Sequence, residues 1–302
     1  MYEWNEMVQM MVDWVEEHLD SKATLQEMSE RLGYSPYYCT RQFHLLTGMT
    51  LRDYVRLRRI THAALEVRDT ELRLLDIAVK YGYSSQEAFT RSFVRAFGMT
   101  PASYRESRRP IPMSIRAEVF SPYHYAVKER VFMSELKLQE VEVKIERIPA
   151  HQFIGIWDVE SDNYGDFWAN GHDCDEVSGL LESMSHHTLP GQLGQTAGWF
   201  YREGRKGYLY GIPVSADYTG DIPEGMECRL IPESEYLVFY YPPFDYMKDN
   251  ASVMKAVEDK AWSFDPGELD YVWDEAGEKQ DYQRHFPEGY GYAVLRPVKR
   301  AE

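Results

Sequence analysis

The chain has 302 residues, of which 44% are hydrophobic and 27% charged, and its formal net charge at pH 7 is −16. This length allows two or three domains, and the acidic total taken alone argues against nucleic-acid binding because phosphates attract basic surfaces. No apolar run approaches the roughly 20 residues needed to cross a bilayer, and the N-terminus carries acids where a signal peptide needs bases. Three scattered cysteines, Cys39, Cys174 and Cys228, favour reduced thiols. We therefore expect a cytoplasmic protein with no membrane partner.

The charge is distributed unevenly along the chain. Residues 1–113 hold 15 Lys and Arg against 15 Asp and Glu, whereas the remaining residues hold 18 against 34. Residues 40–110 alone hold 13 basic and 7 acidic residues, a net charge of +6. A nucleic-acid partner is therefore compatible with this segment, although not with the composition of the whole chain.

An internal repeat spans the basic segment. The sequence GYSPYYCTRQFHLLTGMTLRDYVRLRR from Gly33 aligns with GYSSQEAFTRSFVRAFGMTPASYRESRR from Gly82, with one residue inserted after the shared Gly-Tyr-Ser. Both copies then carry Arg, Phe, Gly-Met-Thr and Tyr at matching positions. Such self-similarity indicates that one structural unit occurs twice.

Each copy predicts two helices joined by a short turn. In the first copy, Thr24 and Glu27 form a predicted capping box that opens a short helix, which Gly33 ends. Ser35 followed by Pro36 then predicts the N-cap and first residue of a second helix. A helix, a turn containing Gly and another helix constitute a helix-turn-helix unit, whose second helix enters the major groove of DNA.

The second copy has the same pattern. Gly82 is the predicted turn, and either Ser84 or Ser85 caps the helix that follows it. A periodic segment over about 53–66 predicts a helix that joins the two copies. The duplication therefore predicts two recognition helices in one all-α domain.

Polar residues near the start of each recognition helix are placed to reach base edges. Phe43 and Phe93 are expected to point inward, which leaves these polar residues on the opposite face. Arg can pair with guanine, Gln with adenine, and Thr can contact the thymine methyl group. The predicted base-reading residues are Tyr37, Thr40 and Arg41 in the first unit and Gln86, Glu87, Thr90 and Arg91 in the second. An exposed Arg is usually only solvated, but the matching positions of Arg41 and Arg91 favour DNA contact.

Residues 5–109 resemble the DNA-binding domain of the AraC/XylS family of transcription regulators. The sequence DIAVKYGYSSQEAFTRSFVRAFGMTPASYR carries the resemblance. It implies seven helices over a domain of residues 1–110, with two helix-turn-helix units in successive major grooves of double-stranded promoter DNA. It also implies phosphate contacts, from Ser35, Ser84 and Arg105. RNA polymerase is a further candidate partner, and two recognition helices per chain leave monomer and homodimer both open.

The sequence changes character after residue 110. The run Arg-Arg-Pro-Ile-Pro marks a linker, which we place at residues 111–137. Strict alternation in EVEVKIERI, from Glu140, predicts a half-buried strand at the start of a second domain, residues 138–302.

The second domain contains its own duplication, at an offset of 83 to 84 residues. IPAHQFIGIW from Ile148 aligns with IPESEYLVFY from Ile231, and GYLYGIPV from Gly207 aligns with GYAVLRPV from Gly291. The predicted unit is strand, helix, strand, strand, present twice, in an α+β domain whose mainly antiparallel sheet has about eight strands. The chain is thus predicted to be multidomain, and the seam between the two halves is a natural cleft for a ligand.

Aromatic residues are abundant in this duplication. Any one of them is more often core than pocket, but their number exceeds what one core needs. Residues 138–299 resemble the GyrI-like effector-binding domains, through YLYGIPV, IPEGMECRLIPESEYLVFYYPP and QDYQRHFPEGYGYAVLRPVK. The resemblance implies an aromatic-lined pocket for a small organic effector, as in multidrug sensing. The predicted effector-binding residues are Trp168, Tyr208, Tyr210, Trp262, Trp273, Gln283 and Tyr292.

The chain departs from this second family at one position. Members often carry a buried Glu that neutralises cationic ligands, and Gln283 stands in its place. A neutral amide stabilises a buried cation less well than a carboxylate does. Either Asp274 or Asp281 substitutes for the Glu, or the ligand is neutral.

Other chemistry has weaker support in the sequence. A potential zinc-ligand set lacks the diagnostic spacing of zinc sites, and comprises His172, Asp173, Cys174, Glu176, His186 and His187. We expect no metal, no cofactor and no enzymatic activity, because no nucleophile elbow, phosphate loop or dinucleotide motif occurs. The leading interpretation is a DNA-binding regulator whose effector modulates promoter binding or transcription activation. The alternatives are a C-terminal enzyme or protein-interaction module tethered to DNA, and a regulator that acts without a ligand.

Overall fold

The computed structural model describes residues 2–20, 24–117, 119, 140–188, 195–202, 204–244, 246–275, 279–285 and 291–301. The chain divides into two compact units. The N-terminal unit comprises Met1–Phe120 with Ser178–Ser183, and the C-terminal unit comprises Ser121–Val177 with Met184–Glu302. No helix of the described ranges is long and apolar enough to span a membrane.

The N-terminal unit is helical. Within its described residues up to 117, the helices are α1 Tyr2–Glu17, α2 Leu25–Leu32, α3 Pro36–Thr47, α4 Leu51–Asp69, α5 Leu74–Lys80, α6 Gln86–Phe97 and α7 Pro101–Ser107. The pairs α2–α3 and α5–α6 are the two predicted helix-turn-helix units. The joining helix, α4, is longer than the predicted segment 53–66, because Thr50 caps it one residue before Leu51.

The N-terminal unit contains two hydrophobic cores, one for each helix-turn-helix unit. In the first core, Phe43 of α3 packs against Tyr54 of α4, with 5.4 Å between ring centroids. In the second core, Phe93 of α6 packs against Tyr104 of α7 at 5.7 Å. Helix α4 contributes residues to both cores. It is therefore the structural connection between the two recognition helices.

Part of the predicted linker 111–137 packs on the N-terminal unit. Ile111 and Met113 are each only 2% exposed and belong to the second core. Their burial removes apolar surface from water, so these residues are part of the helical domain. The predicted linker positions 118 and 120–137 lie outside the described residues.

Capping residues fix the starts of the predicted helices. At α2, Glu27 N donates to Thr24 Oγ1 at 3.2 Å and Thr24 N donates to Glu27 Oε2 at 2.7 Å, which confirms the capping box. Both recognition helices end at a glycine in the left-handed region, Gly48 with φ 75° and Gly98 with φ 72°. A residue with a Cβ atom rarely adopts this conformation, which accounts for the glycine in both copies.

The structure identifies Ser85 as the cap of the second recognition helix, a position for which the sequence left Ser84 and Ser85 open. Ala88 N donates to Ser85 Oγ at 3.2 Å. We expect Ser85→Ala to lower the free energy of unfolding by about 1 kcal/mol, because one N–H of the first turn loses its acceptor. Ser84→Ala is the matched control and is expected to change stability little. Urea unfolding of both variants measures the difference, and equal effects would contradict the assignment.

The C-terminal unit is built on an antiparallel sheet. In the described residues its strands are β1 Glu142–Ile148, β2 His151–Asp158, β3 Thr196–Arg202, β4 Arg205–Ser215, β5 Glu227–Ile231, β6 Ser234–Tyr241, β7 Tyr271–Trp273, β8 Asp281–His285 and β9 Tyr292–Arg300. The sheet is accompanied by α8 Tyr164–Ala169, by α9 Cys174–Ser183, whose last six residues belong to the N-terminal unit, and by α10 Tyr246–Ser263. An α+β domain with an antiparallel sheet was predicted, and the described residues form nine strands where about eight were expected.

The strand order of this sheet is symmetric. It runs β1-β6-β9-β8-β3-β4-β2-β5, with β7 paired to β9 off this path. The order reads the same from either end if β1 exchanges with β5, β2 with β6, β3 with β8 and β4 with β9. The centre of the sheet is therefore the β3–β8 pair, where Gly198 lies opposite Tyr282. A Cβ atom on Gly198 would lie 2.2 Å from Asp281 O, so only glycine allows this close approach.

Candidate nucleic-acid interface and effector site

The first recognition helix, α3, presents its predicted reading residues to solvent. Tyr37 is 75% exposed and Arg41 is exposed, whereas Phe43 is fully buried. The Thr40 hydroxyl donates within the helix, to Pro36 O at 3.1 Å and to Tyr37 O at 2.9 Å. Its methyl group is therefore the part of Thr40 left for contact with a thymine methyl group.

The second recognition helix, α6, has the same arrangement. Gln86, Glu87 and Arg91 are exposed and Thr90 is half-buried. The hydrogen bond with Ser85 lowers the pKa of Glu87, and the charge of Arg91 adds to this effect. Glu87 thus keeps a negative charge beside Arg91 at the start of α6, where it also suits the helix dipole.

The predicted phosphate-contacting residues occupy different environments. Ser35 Oγ accepts from Tyr38 N at 3.3 Å as the N-cap of α3, and Ser84 is exposed ahead of α6. Arg105 Nε donates to Val67 O at 3.0 Å and its Nη2 donates to Leu72 O at 2.7 Å. These bonds tie α7 to the end of α4, so only the remaining N–H groups of Arg105 are available for a phosphate.

A largely buried ion pair joins α1 to α4. Glu16 Oε1 accepts from Tyr54 OH at 2.7 Å and from Arg58 Nε at 2.8 Å, and Arg58 Nη2 donates to Glu16 Oε2 at 2.8 Å. Burial alone would raise the pKa of Glu16, but hydrogen bonds from His62, Arg58 and Tyr54 lower it to about 2. Arg58 is one of the 13 basic residues of segment 40–110, yet it is only 7% exposed and its hydrogen bonds to Glu16 hold α1 against α4.

In the C-terminal unit, three of the predicted effector-binding residues form one buried hydrogen-bond network. Tyr208 OH donates to Gln283 Oε1, and Gln283 Nε2 donates to Tyr292 OH at 2.9 Å. Both tyrosines are fully buried, and Gln283 is 2% exposed. The network lies beside the β3–β8 centre of the sheet, since Gln283 pairs with Ala197 across these strands.

A fourth member of this network, Glu258 of α10, was missed by sequence reasoning. Its Oε1 accepts from Gln283 Nε2 at 3.0 Å and from Tyr292 OH at 3.0 Å. Burial raises the pKa of Glu258, and these two hydrogen bonds partly offset the effect. The residue follows the buried Val257 and lies four residues after the buried Met254, so the helical period places it on the apolar side of α10. A carboxylate on the apolar side of a helix was the feature of the sequence that could have identified Glu258 as a functional residue.

The two predicted carboxylate substitutes have cationic partners of their own. Asp274 forms an ion pair with Lys279. Asp281 lies 3.8 Å from Arg296 Nε, and burial raises its pKa to about 6. The carboxylate in contact with Gln283 is that of Glu258.

The remaining predicted effector residues lie in two aromatic groups. Trp168 and Tyr210 have ring centroids 5.0 Å apart, and Phe167 links them to Tyr208 at 6.0 Å. Among the described residues, the buried Trp168 Nε1 has no hydrogen-bond partner.

The second aromatic group surrounds an arginine. Trp262 and Trp273 flank Arg296, whose guanidinium carbon lies 4.4 Å and 3.7 Å from their ring centroids. Trp199 connects Trp262, at 5.3 Å, to Tyr208, at 5.9 Å. Tyr208 therefore contacts both aromatic groups, through Phe167 of the first and Trp199 of the second.

The potential zinc ligands are engaged in other contacts. His172 stacks on Phe167 with 4.2 Å between ring centroids, and its Nε2 lies 3.3 Å from Asp158 Oδ2. Within the described ranges, no group of three or more His, Cys, Asp or Glu side chains could hold a metal ion.

Two helix-turn-helix units with exposed polar first turns define a DNA-binding protein, and comparisons with known proteins agree. Residues 28–107 match a family model described as a helix-turn-helix domain. The regulatory protein SoxS of Salmonella typhimurium is 40% identical over 100 residues, which are 33% of this chain and 94% of SoxS. The TetD protein of transposon Tn10 from Escherichia coli is 42% identical over 95 residues, 32% of this chain and 69% of TetD.

A third relative is longer than the matched region. The transcriptional regulator Rob of Salmonella typhimurium is 39% identical over 103 residues, which are 34% of this chain and 36% of Rob. The chain belongs to the AraC/XylS family of transcription regulators, and it is a DNA-binding member of that family. These three matches each cover about a third of the chain, and they do not assign the C-terminal unit to a family.

Proposed function

We propose that this chain is a one-component regulator that reads promoter DNA through α3 and α6 and binds a small organic effector in its C-terminal unit. On the DNA side, the bases are read by Tyr37, Thr40, Arg41, Gln86, Glu87, Thr90 and Arg91. The proposal is supported by the exposure of Tyr37, Arg41, Gln86, Glu87 and Arg91 opposite two aromatic cores, with Thr40 and Thr90 half-buried between them and the cores. Because one chain carries both recognition helices, a monomer suffices to contact two grooves.

The observation that carries the effector site is the hydrogen-bond network of the buried Tyr208, Gln283 and Tyr292 with the half-buried Glu258. Domains seldom bury three linked polar side chains without a reason, since each buried polar group needs a partner. Beyond Phe167, which contacts Tyr208 of this network, the indole N–H of Trp168 is buried without an acceptor among the described residues. A bound effector with an acceptor atom would satisfy that donor.

The symmetry of the sheet supports a binding site at its centre, and we propose that the C-terminal unit arose by duplication. Tyr208 and Tyr292 are 84 residues apart, the offset of the second sequence repeat, and both bond to Gln283. The same offset relates the pair Ala197–Gln283 to the pair Asp281–Trp199. Residues from equivalent strands of the two halves therefore converge on one place.

Glu258 determines which effectors this site can hold. We propose that it supplies the negative charge that Gln283 lacks, from a helix instead of a strand. A half-buried carboxylate beside aromatic rings favours a lipophilic cation, through charge pairing and cation–π contact. The effector then alters promoter binding or activation to the extent that its affinity differs between two conformations of the regulator.

Tryptophan fluorescence of the full chain tests the effector site. We expect saturable quenching by lipophilic amines, without turnover, and weaker quenching by the corresponding neutral acetamides. Glu258→Gln should remove this preference, because the amide carries no charge. Asp259→Asn, on an exposed neighbour in the same helix, is the matched control. Equal affinities of wild type and Glu258→Gln for every amine would refute the assigned role of Glu258.

A further inference from the structure

The N-terminal unit contains a cavity of about 440 Å³ next to its first recognition helix. This volume is in the range of small-molecule sites. The interior is formed mainly by apolar and aromatic side chains, namely Trp14, Val15, Leu25, Met28, Leu51, Val55, Tyr81 and Tyr83. The cavity lies within the helical unit and is separate from the effector site proposed for the C-terminal unit.

Three arginines of α4 line the same cavity. Arg52 and Arg56 are exposed and Arg59 is half-buried, while none of the described lining residues is Asp or Glu. Arg56 Nη2 lies 3.5 Å from Asp53 Oδ1, and Arg59 Nε donates to Leu19 O at 2.8 Å. Guanidinium groups beside an apolar interior complement a molecule that is both hydrophobic and anionic.

The positive charge of these arginines acts at the wall of the cavity. Burial raises the pKa of the Tyr83 phenol, whereas the charges of Arg56 and Arg59 oppose the increase. Arg59 also approaches the turn of the second helix-turn-helix unit, since its Nη1 would lie 3.6 Å from a Cβ atom on Gly82. An anion in the cavity would therefore lie beside arginines of α4, the helix that joins the two helix-turn-helix units.

We propose that this cavity binds a small aromatic anion, a carboxylate or a sulfonate, and that its occupation competes with DNA. The rings lie among Trp14, Val55 and Tyr83, and the acid group pairs with Arg52 and Arg56. Thr40, a predicted base-reading residue of α3, belongs to the same wall. The bound anion also neutralises two exposed arginines of a segment whose net charge is +6, which weakens attraction to phosphates.

The experiment uses 8-anilinonaphthalene-1-sulfonate, whose fluorescence rises in apolar sites, with the full chain. Its uncharged counterpart, N-phenyl-1-naphthylamine, lacks the sulfonate. We expect saturable binding of the sulfonate, at least roughly fivefold tighter than that of the amine, because charge-assisted bonds add to ring contacts. Arg56→Gln should weaken sulfonate binding by a similar factor, and excess duplex DNA should displace the dye from wild type.

Matched variants separate this cavity from other dye sites, including any in the C-terminal unit. Val55→Phe fills the cavity and should remove one class of bound dye, whereas Val94→Phe, on the exposed face of α6, should not. Arg95→Gln, also on α6, is the charge control for Arg56→Gln. The proposal is overturned if both cavity variants bind the dye like wild type, or if sulfonate and amine bind wild type equally well. Because Arg56 is exposed, its variant remains informative even if Val55→Phe folds poorly.

Discussion

Glu16→Gln should lower the free energy of unfolding by about 3 kcal/mol or more, because it leaves Arg58 buried without a charged partner. The carboxylate accepts hydrogen bonds from Tyr54 and from two nitrogens of Arg58, and His62 Nε2 lies 3.5 Å from it. These contacts hold α1 against α4. Urea unfolding at pH 7 measures the loss. Glu17→Gln, on the exposed neighbour, should change stability by no more than about 0.5 kcal/mol. Similar values for the two variants would show that the pair contributes little.

The stabilisation of the folded state by Glu16 is expected to depend on pH and to decrease in acid. The pKa of Glu16 is about 2 in the folded state, below the ordinary value of 4.5 that applies to the unfolded chain. The unfolded state therefore binds the proton first, and the stabilisation by Glu16 is complete above pH 4.5 and lost as the pH falls toward 2. The stability difference between wild type and Glu16→Gln should shrink across this window. A constant difference would contradict the assigned pKa.

The second large effect is expected in DNA binding. Arg41→Ala and Arg91→Ala should each weaken binding to a selected site by about 1 to 3 kcal/mol, because each arginine is assigned to base edges. The two residues lie on different helix-turn-helix units, so the losses should add in the double variant. Fluorescence anisotropy with a labelled duplex measures them. Arg73→Ala removes an exposed arginine paired with Asp76 and serves as the control.

The salt dependence of DNA binding provides a separate test of contacts between basic residues and phosphates. Affinity for DNA should fall steeply between low and moderate salt despite the net charge of −16, because the basic residues of 40–110 release counterions from phosphates. An affinity independent of salt would contradict phosphate contacts by this segment. A salt slope lowered by about 1 in Arg41→Ala, with equal weakening on every DNA sequence, would instead show that Arg41 contacts a phosphate and not a base.

The helical half was predictable because its signals are local. Thr24 with Glu27, and Ser35 with Pro36, specify helix starts within four residues. The repeat shows the same helix-turn-helix pattern a second time. The choice between Ser84 and Ser85 needed coordinates, since adjacent serines are equally able to cap. The burial of Ile111 and Met113 also needed them, because a Pro-rich run after a basic helix end predicts a linker whether or not it packs.

Partners distant in sequence were not predictable. The burial of Arg58 is one example, since nothing near it in sequence indicates that Glu16, 42 residues away, accepts its hydrogen bonds. Glu258 and Gln283 are 25 residues apart and on different kinds of element, so the sequence directed attention to Asp274 and Asp281, which lie closer. Tyr208 and Tyr292 were both among the predicted effector residues, and the structure brings them together at Gln283.

A footprint on DNA tests the central claim, that one chain reads DNA with two units, most directly. A duplex selected from genomic fragments by the wild-type protein would be probed with hydroxyl radicals, with and without each arginine variant. We predict two protected patches about one helical turn apart, the first weakened by Arg41→Ala and the second by Arg91→Ala. A single patch that both variants weaken equally, or protection unchanged in both, would contradict the account.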